Sequence, residues 1–281
     1  MMTFEYFEPG ERVRDLIGSY YALTVPEALD DVMRAEIANV RFILEGRIHS
    51  DINGAMETYS TGDAILCGPT FKWSAVRFDA NTRVVGGAIT PLGWARMFEV
   101  PASDYADRVV PLKSLMPEKV HGLIDRIFDP ATEGMRGAVA DATFAALDNP
   151  DAKVNQDFLD IVTRWLTDPD PNELEDLLDA IDLSPRQVER LSKLYFGSAP
   201  KKLHRKFRAL HSANRLTWQS MDDWRDVATT AYYDQSHFIR EFRQFNGRTP
   251  SEFIKGAHLL VRQTLTERRQ IEHHSPYSLV G

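Results

Sequence analysis

The pattern of apolar and polar positions changes character along the chain. Up to about residue 115, apolar residues come in short runs with glycine or proline at their ends, at 40–45, 64–67 and 84–89. Within the first run Val40, Phe42 and Leu44 alternate with polar residues, which places them on one side of a strand. Short strands of this kind predict a sandwich or a small barrel.

Beyond about residue 117 the apolar period becomes helical. One stripe consists of Val120, Leu123, Ile124 and Ile127, and a second of Phe158, Ile161, Val162, Trp165 and Leu166. Because these apolar stripes must be buried against another surface, we expect the helices to form a dimer interface. The segment 168–172, Asp-Pro-Asp-Pro-Asn, then favours an extended link, because its two prolines oppose a helix. We predict a domain boundary at this segment.

The rest of the chain carries a weak internal repeat with an offset of 50 residues. Residues 183–190 lie over residues 233–240, Gly197 falls on Gly247 and Pro200 on Pro250. Few residues are identical, but helix starts, apolar positions and glycine stops recur in the same order. This pattern predicts a duplicated helix-turn-helix unit, a structure that usually reads DNA.

Capping residues predict where the helices of the first unit begin and end. Ser184, Pro185 and Gln187 form a capping-box pattern for a helix that stops at Gly197. A longer helix opens at Pro200, with Leu203, Phe207 and Leu210 inward and Lys201, Lys202, Arg205, Lys206 and Arg208 largely outward.

In the second unit, Ser220 or Asp222 starts a helix that carries Ala228 and Ala231. Asp234 caps the next helix, which buries Phe238 and Phe242 and runs to Phe245. The capping box at Thr249 begins a final helix that is predicted to continue towards Gln270.

Charge is unevenly divided between the two halves. The net charge of the 281 residues is −8. Residues 1–172 hold 16 Lys and Arg against 27 Asp and Glu, whereas residues 184–256 hold 14 against 7. Because phosphate binding depends on local charge, the basic segment is where a DNA contact is expected; a solvated basic face is the alternative.

Composition narrows the class of protein further. The chain is 43% hydrophobic and 26% charged, as in soluble globular proteins, and has no apolar run of the roughly 18 residues that a membrane helix requires. Its start lacks the features of a secretory signal, so we expect a cytoplasmic protein with no membrane partner. The single cysteine, Cys67, excludes an intramolecular disulfide.

Residues 174–253 resemble the DNA-binding domain of AraC/XylS-type transcriptional regulators. The most specific pieces are AYYDQSHFIREF at 231–242 and GRTPSEF at 247–253. Asp182 and Tyr232 stand where the family commonly has glycine, and Tyr fits a left-handed turn less well than Asp does. The resemblance implies two recognition helices in successive major grooves, joined by the helix that starts at Pro200.

Carried onto this chain, the resemblance implies DNA contacts from Arg186, Gln187, Arg190, Lys201, Lys202, Gln235, Ser236, His237, Arg240 and Arg243. Arg186 and Arg190 are the base readers of the first unit, because the arginine fork can bond guanine O6 and N7 together. Gln235, Ser236 and Arg240 are those of the second unit. His237 is as well suited to capping or packing, and Lys201 and Lys202 suit phosphate contact or solubility.

The front half resembles the cupin-like sensor domain of many such regulators, at residues 61–69, 84–91 and 106–112. The fold class is therefore α+β. We expect a cupin-like β-barrel or sandwich with flanking helices at 1–116 and a helical dimerisation or linker segment at 117–172. An all-α tandem helix-turn-helix domain at 173–256 is followed by a C-terminal helix and frayed tail at 257–281.

The front half lacks the residues of a catalytic centre. A cupin metal site needs clustered histidines and a carboxylate, but only His49 and His121 precede residue 172, and His49 is expected to be structural. No nucleophile motif, phosphate loop or dinucleotide fingerprint occurs, so no metal, cofactor or catalysis is predicted. Trp73, Tyr59, Arg41 and Arg77 suit either a barrel pocket or plain packing, and Cys67 is read as a small core residue.

The sequence therefore predicts a sequence-specific transcription regulator whose front domain binds a small-molecule or protein effector and dimerises the chain. RNA polymerase is a further expected partner. One alternative is an enzyme, of cupin or DNA-repair alkyl-transfer type, fused to a DNA-binding module; the lone Cys67 disfavours alkyl transfer. Another is a protein-interaction module, which the retained Arg186, Arg190, Arg240 and Arg243 disfavour. The effector, the operator and the choice between activation and repression are not readable from the sequence.

Overall fold

Ten strands lie within the first 111 residues of the computed structural model, which describes residues 2–168, 173–219, 223–225, 227, 234–256, 259–271 and 275–279. They are β1 Thr3–Phe7, β2 Ile17–Val25, β3 Leu29–Met33, β4 Asn39–Glu45, β5 Arg47–Ser50, β6 Glu57–Ser60, β7 Ala64–Cys67, β8 Ser74–Phe78, β9 Thr82–Ile89 and β10 Val109–Pro111. One antiparallel sheet has the order β1-β2-β9-β4-β7-β10, and the other β3-β8-β5-β6.

The two sheets enclose an apolar lumen because side chains alternate along each strand. On β2, Tyr21 and Leu23 are buried in one cluster with Val76 and Phe78 of the opposite sheet, whereas Tyr20 joins a different cluster on the outer face. The predicted small barrel or sandwich in the front half is confirmed.

Three helices cover the outer face of the six-stranded sheet: α1 Pro91–Met97, α2 His121–Phe128 and α3 Arg136–Leu147. Ile124 and Ile127 of α2 are at most 1% exposed and share a core with Phe42 and Phe144. The first helical stripe is thus covered by the barrel of the same chain.

The next helix, α4 Gln156–Thr167, packs with α5 Leu174–Asp179, α6 Pro185–Phe196 and α7 Pro200–Trp218. Phe158, Val162 and Leu166 of α4 share a core with Val188 of α6 and Leu203 of α7. The second stripe is therefore also covered within the chain, and neither stripe needs a partner molecule. The predicted link at 169–172 lies outside the described residues.

The second unit contributes α8 Gln235–Asn246, α9 Pro250–Lys255 and α10 Leu259–Arg268. Phe238 and Phe242 of α8 form its core with Leu216 of α7 and with Trp224. The prediction of one helix from Thr249 towards Gln270 is wrong, because the helix ends at Lys255 and Gly256 has an extended backbone. The predicted first helix of this unit falls largely outside the described residues, which leave out Ser220, Asp222, Ala228 and Ala231, and the turn residue Tyr232 lies outside them as well.

The 50-residue repeat is visible as matching geometry. Both α6 and α8 have twelve residues and begin at a side-chain cap, from Ser184 and Asp234 respectively. Both end at a glycine in the left-handed conformation, Gly197 with φ 86° and Gly247 with φ 80°. Asp182 does not adopt a positive φ, so the first turn is made without the left-handed residue common in the family.

The barrel contacts the ends of both repeat helices. The backbone N–H of Ala35 donates to the carbonyl of Phe245 at 2.7 Å, and that of Trp73 donates to Gln244 at 3.0 Å. At the end of α6, side-chain atoms of Pro69 and Phe71 lie beside Gly197. None of the described helices combines the length and apolarity needed to span a membrane.

Candidate DNA-binding interface

Helix α6 presents a charged face opposite its buried side. Arg186, Gln187 and Arg190 are exposed, whereas Val188 is fully buried and Leu191 is 6% exposed. The amide oxygen of Gln187 accepts hydrogen bonds from the backbone N–H of Ser184 at 3.0 Å and from its hydroxyl at 2.8 Å. Gln187 is therefore engaged as a cap, while the two arginines are placed to reach a ligand.

Helix α8 presents the equivalent face of the second unit. Gln235, Ser236, Arg240 and Arg243 are exposed, and Phe238 on the opposite side is fully buried. The carboxylate of Asp234 caps the helix by accepting the backbone N–H of Ser236 at 2.9 Å, which leaves the Ser236 hydroxyl outside the cap. The helix thus starts at a fixed point with polar side chains outward.

Glu241 ties α8 to α7, a role that the sequence reasoning missed. Its side chain is 1% exposed and forms ion pairs with Arg205 and with Arg208, the latter at 3.0 Å; the Nε2 atom of His237 also lies 3.0 Å from the carboxylate. Burial opposes ionisation of Glu241, but hydrogen bonds from the two arginines outweigh it, so the pKa of Glu241 is lowered. His237 is thereby placed against Glu241, as expected for a packing role.

A signal for Glu241 was present in the repeat. Position 241 falls on position 191, which is a buried leucine in the first unit. A charged residue at an apolar position of a repeat requires partners, and the basic residues of α7 supply them.

The predicted outward orientation of the α7 basic residues is wrong for Lys206. Its side chain is 1% exposed and donates to the backbone carbonyl of Glu36 in the barrel at 2.6 Å. Burial lowers the pKa of Lys206 to about 7. Lys202 is half-buried with its ammonium 4.7 Å from the ring centre of Phe71, whereas Lys201 is exposed. The three lysines therefore have different environments, because α7 lies partly against the barrel.

Further polar contacts join the barrel to the second unit. The side chain of Asp31 is 3% exposed. It forms an ion pair with Arg248 at 3.2 Å and accepts a hydrogen bond from the backbone N–H of Leu260 at 3.1 Å. Arg34 donates to the amide oxygen of Asn214 on α7 at 3.0 Å. No local pattern predicts these contacts, because their partners are about 180 residues or more apart along the chain.

Of the candidate pocket residues in the barrel, Arg41 and Tyr59 line the lumen, whereas Trp73 packs against Gly247. The lumen holds a cavity of about 60 Å³. Arg41 donates to the Cys67 sulfur at 3.0 Å and pairs with Glu36 at 2.5 Å.

Across the described residues, no three His, Cys, Asp or Glu side chains are grouped closely enough to hold a metal ion. His49 bonds Thr58 and Asp79 on neighbouring strands.

Residues 177–256 match the model of a protein family described as a helix-turn-helix domain. This range contains α6, α7 and α8 and both exposed faces. No curated protein matches the chain by sequence.

The chain is similar to several solved structures at low sequence identity. A structure of ToxT from Vibrio cholerae is 10% identical, with a TM-score of 0.50, and the alignment covers 84% of this chain and 97% of that one. A second ToxT structure, bound to (E)-4-(8-methylnaphthalen-1-yl)but-3-enoic acid, is 9% identical with a TM-score of 0.48, covering 91% and 98%. A cupin superfamily protein from Desulfitobacterium hafniense is 8% identical with a TM-score of 0.27, covering 32% of this chain and 77% of its own.

Proposed function

We propose that this chain, whose C-terminal region carries an AraC-type helix-turn-helix domain, is a sequence-specific transcription regulator that reads DNA with both repeat units. DNA binding and transcription regulation are the functions of this class of domain. We also propose which residues read the bases and what controls DNA binding.

The observation that carries the proposal is the equivalence of α6 and α8. The two helices have the same length, and each begins at a side-chain cap and ends at a glycine. Each leaves an arginine exposed at the same position, Arg190 in α6 and Arg240 in α8. Between them runs α7, whose 19 residues span about 28 Å at 1.5 Å per residue. This length is comparable with the ~34 Å of one turn of DNA.

Base reading is assigned to Arg186 and Arg190 in the first unit and to Gln235, Ser236 and Arg240 in the second. Arg243 and Lys201, also exposed, would contact phosphates. Three other candidates already have partners within the chain: Gln187 caps α6, Lys202 lies over the ring of Phe71, and His237 lies against Glu241. These three would contribute mainly through the shape of the interface.

An effector of the barrel domain would act through the contacts between the two halves. Residues 31–36 bond to the end of α8, to Arg248 and to α7. A shift of this segment would change how the second recognition helix is held against the first. The effector would thereby raise or lower DNA affinity by its different affinity for the two arrangements.

The resemblance also implies a homodimer, contact with RNA polymerase, and a cytoplasmic location. Because both apolar stripes are covered within the chain, a homodimer would have to use other surfaces. Sedimentation at increasing protein concentration tests it. We propose no catalytic activity, since the function is carried by the helix faces; the alternative enzyme fused to a DNA-binding module predicts turnover that survives loss of Arg190 and Arg240.

The test is selection of bound fragments from genomic DNA by the full-length chain, followed by affinity measurements at several salt concentrations. The proposal predicts recovery of a common sequence and an affinity that falls steeply with salt, with a log–log slope near −5 for roughly six phosphate contacts. Absence of DNA binding, or binding without a preferred sequence, contradicts it.

A further inference from the structure

A cavity of about 490 Å³ lies on the outer face of the six-stranded sheet, beside α3 and the segment 133–138. It is separate from the lumen, since it is lined by the side chains of Tyr20, Ala22 and Thr24 on β2. Its volume is within the roughly 300–1,000 Å³ of small-molecule sites, whereas the 60 Å³ lumen is far below that range.

The walls of this outer cavity are aromatic and rigidly held. The ring of Tyr20 stacks on Phe144 of α3 at 6.2 Å, and its hydroxyl donates to Asp141 at 2.9 Å. Gly87 on β9 lets this ring lie close, because a Cβ there would stand 3.0 Å from it. At the rim, Phe7 is 48% exposed and Met135 is 55% exposed, which is unusual for large apolar side chains.

Both arginines that line the cavity are already paired. Arg83 bonds Glu45 at 3.1 Å and Glu133 at 2.5 Å. Arg136 bonds Glu133 at 3.2 Å and the carbonyl of Ile127 at 3.0 Å. A charged ligand would have to break these pairs or lose its own hydration without a partner, whereas an uncharged apolar ligand has no charge to desolvate on entering.

We propose that the outer cavity binds a neutral, lipophilic small molecule and is the effector site of this chain. The effector role rests on the proposed function. Besides the segment 31–36, a ligand in this cavity would act through α3, where Asp148 just beyond the helix pairs with Arg96 of α1 at 2.7 Å. Leu92 and Ala95 of α1 in turn pack on the core that contains Tyr195 and Phe196 of the first recognition helix.

The test uses fluorescence of the uncharged probe N-phenyl-1-naphthylamine with the full-length chain and no DNA. We expect each chain to bind one molecule of the probe. Ala22→Trp, which fills the cavity from a half-buried strand position, should weaken binding at least tenfold. Ala75→Trp is the matched control, a half-buried alanine on the outer face of the other sheet, and should change affinity less than twofold. Ser50→Val, which narrows the lumen, should also leave probe affinity unchanged.

Met135→Glu provides a second variant that does not alter the core, because Met135 is exposed; it should weaken probe binding by placing a charge at the rim. Probe affinity that survives both Ala22→Trp and Met135→Glu, or that is lost in Ser50→Val, overturns the proposal. So does sedimentation showing that a second copy of the chain occupies the cavity and excludes the probe. Since no DNA is present, these results are independent of whether the chain reads DNA.

Discussion

Arg190 and Arg240 occupy the same position, the sixth residue, of two twelve-residue helices that lie 50 residues apart in sequence, and both side chains are exposed. If each reads a guanine, Arg190→Ala should relax the base preference in one half of the site and Arg240→Ala in the other. Each should cost about 1–3 kcal/mol of binding, because one bidentate contact is lost. Affinity measurements on single-base variants of the selected site test this.

Arg77→Ala, at an exposed position of the barrel strand β8, is the control and should change neither affinity nor preference. If Arg240→Ala behaves like this control while Arg190→Ala abolishes the preference, then only the first unit reads sequence. The assignment of Gln235, Ser236 and Arg240 would then be wrong.

Lys201 and Lys202 are neighbours with different surroundings, and their substitution should separate phosphate contact from packing. Lys201→Ala should weaken binding to all sequences alike and lower the log–log salt slope by about one. Lys202→Ala should change the slope less, because its ammonium lies over the ring of Phe71. Lys119→Ala, exposed in the front half, is the reference. Equal slope changes for Lys201 and Lys202 would contradict this distinction.

Glu241→Gln should destabilise the chain by about 3 kcal/mol, because it leaves Arg205 and Arg208 without their buried partner. The pKa of Glu241 is lower in the folded than in the unfolded chain. The ionised carboxylate therefore stabilises the fold at any pH above about 4.3, the ordinary pKa of glutamate, and this contribution is lost as the pH falls through the pKa of Glu241 in the folded chain. Denaturant unfolding should therefore show the wild type and the variant converging below about pH 4. Glu189→Gln, which breaks the exposed pair with Lys193, should cost under about 1 kcal/mol at every pH. A Glu241→Gln effect no larger than that would be inconsistent with the buried pair.

Lys206 gives a second pH dependence of the same sign, at higher pH. Burial lowers its pKa to about 7, so between that value and the ordinary ~10.4 the unfolded chain binds more protons and stability rises with pH. Lys206→Met removes this contribution. The stability advantage of the variant over the wild type should be largest below pH 7 and decline by up to about 1.4 kcal/mol per pH unit above it. Unfolding at pH 6, 7, 8 and 9 measures the decline, and a constant difference would show that Lys206 does not titrate in this range.

The features that the sequence predicted well are local. The caps at Ser184 and Asp234, the glycine stops and the proline starts are set by a few neighbouring residues, so α6 and α8 were predicted almost to the residue. The outward placement of Lys206 failed because the helical period of α7 does not reveal that the barrel covers its polar side. The cover of α4 by α6 and α7, and the cavity beside Tyr20, arise from how distant elements meet, which periodicity does not encode.

The central claim, that two equivalent helices read one DNA site, is tested most directly by selecting genomic fragments with the wild-type chain and with the Arg190→Ala/Arg240→Ala double variant. We predict that the wild type recovers a site with two half-sites about 10–10.5 base pairs apart, centre to centre. The double variant should keep salt-dependent binding and recover a sequence whose base preference is relaxed in both halves. Recovery of the same sequence by both proteins, or of no sequence by the wild type, would contradict the account.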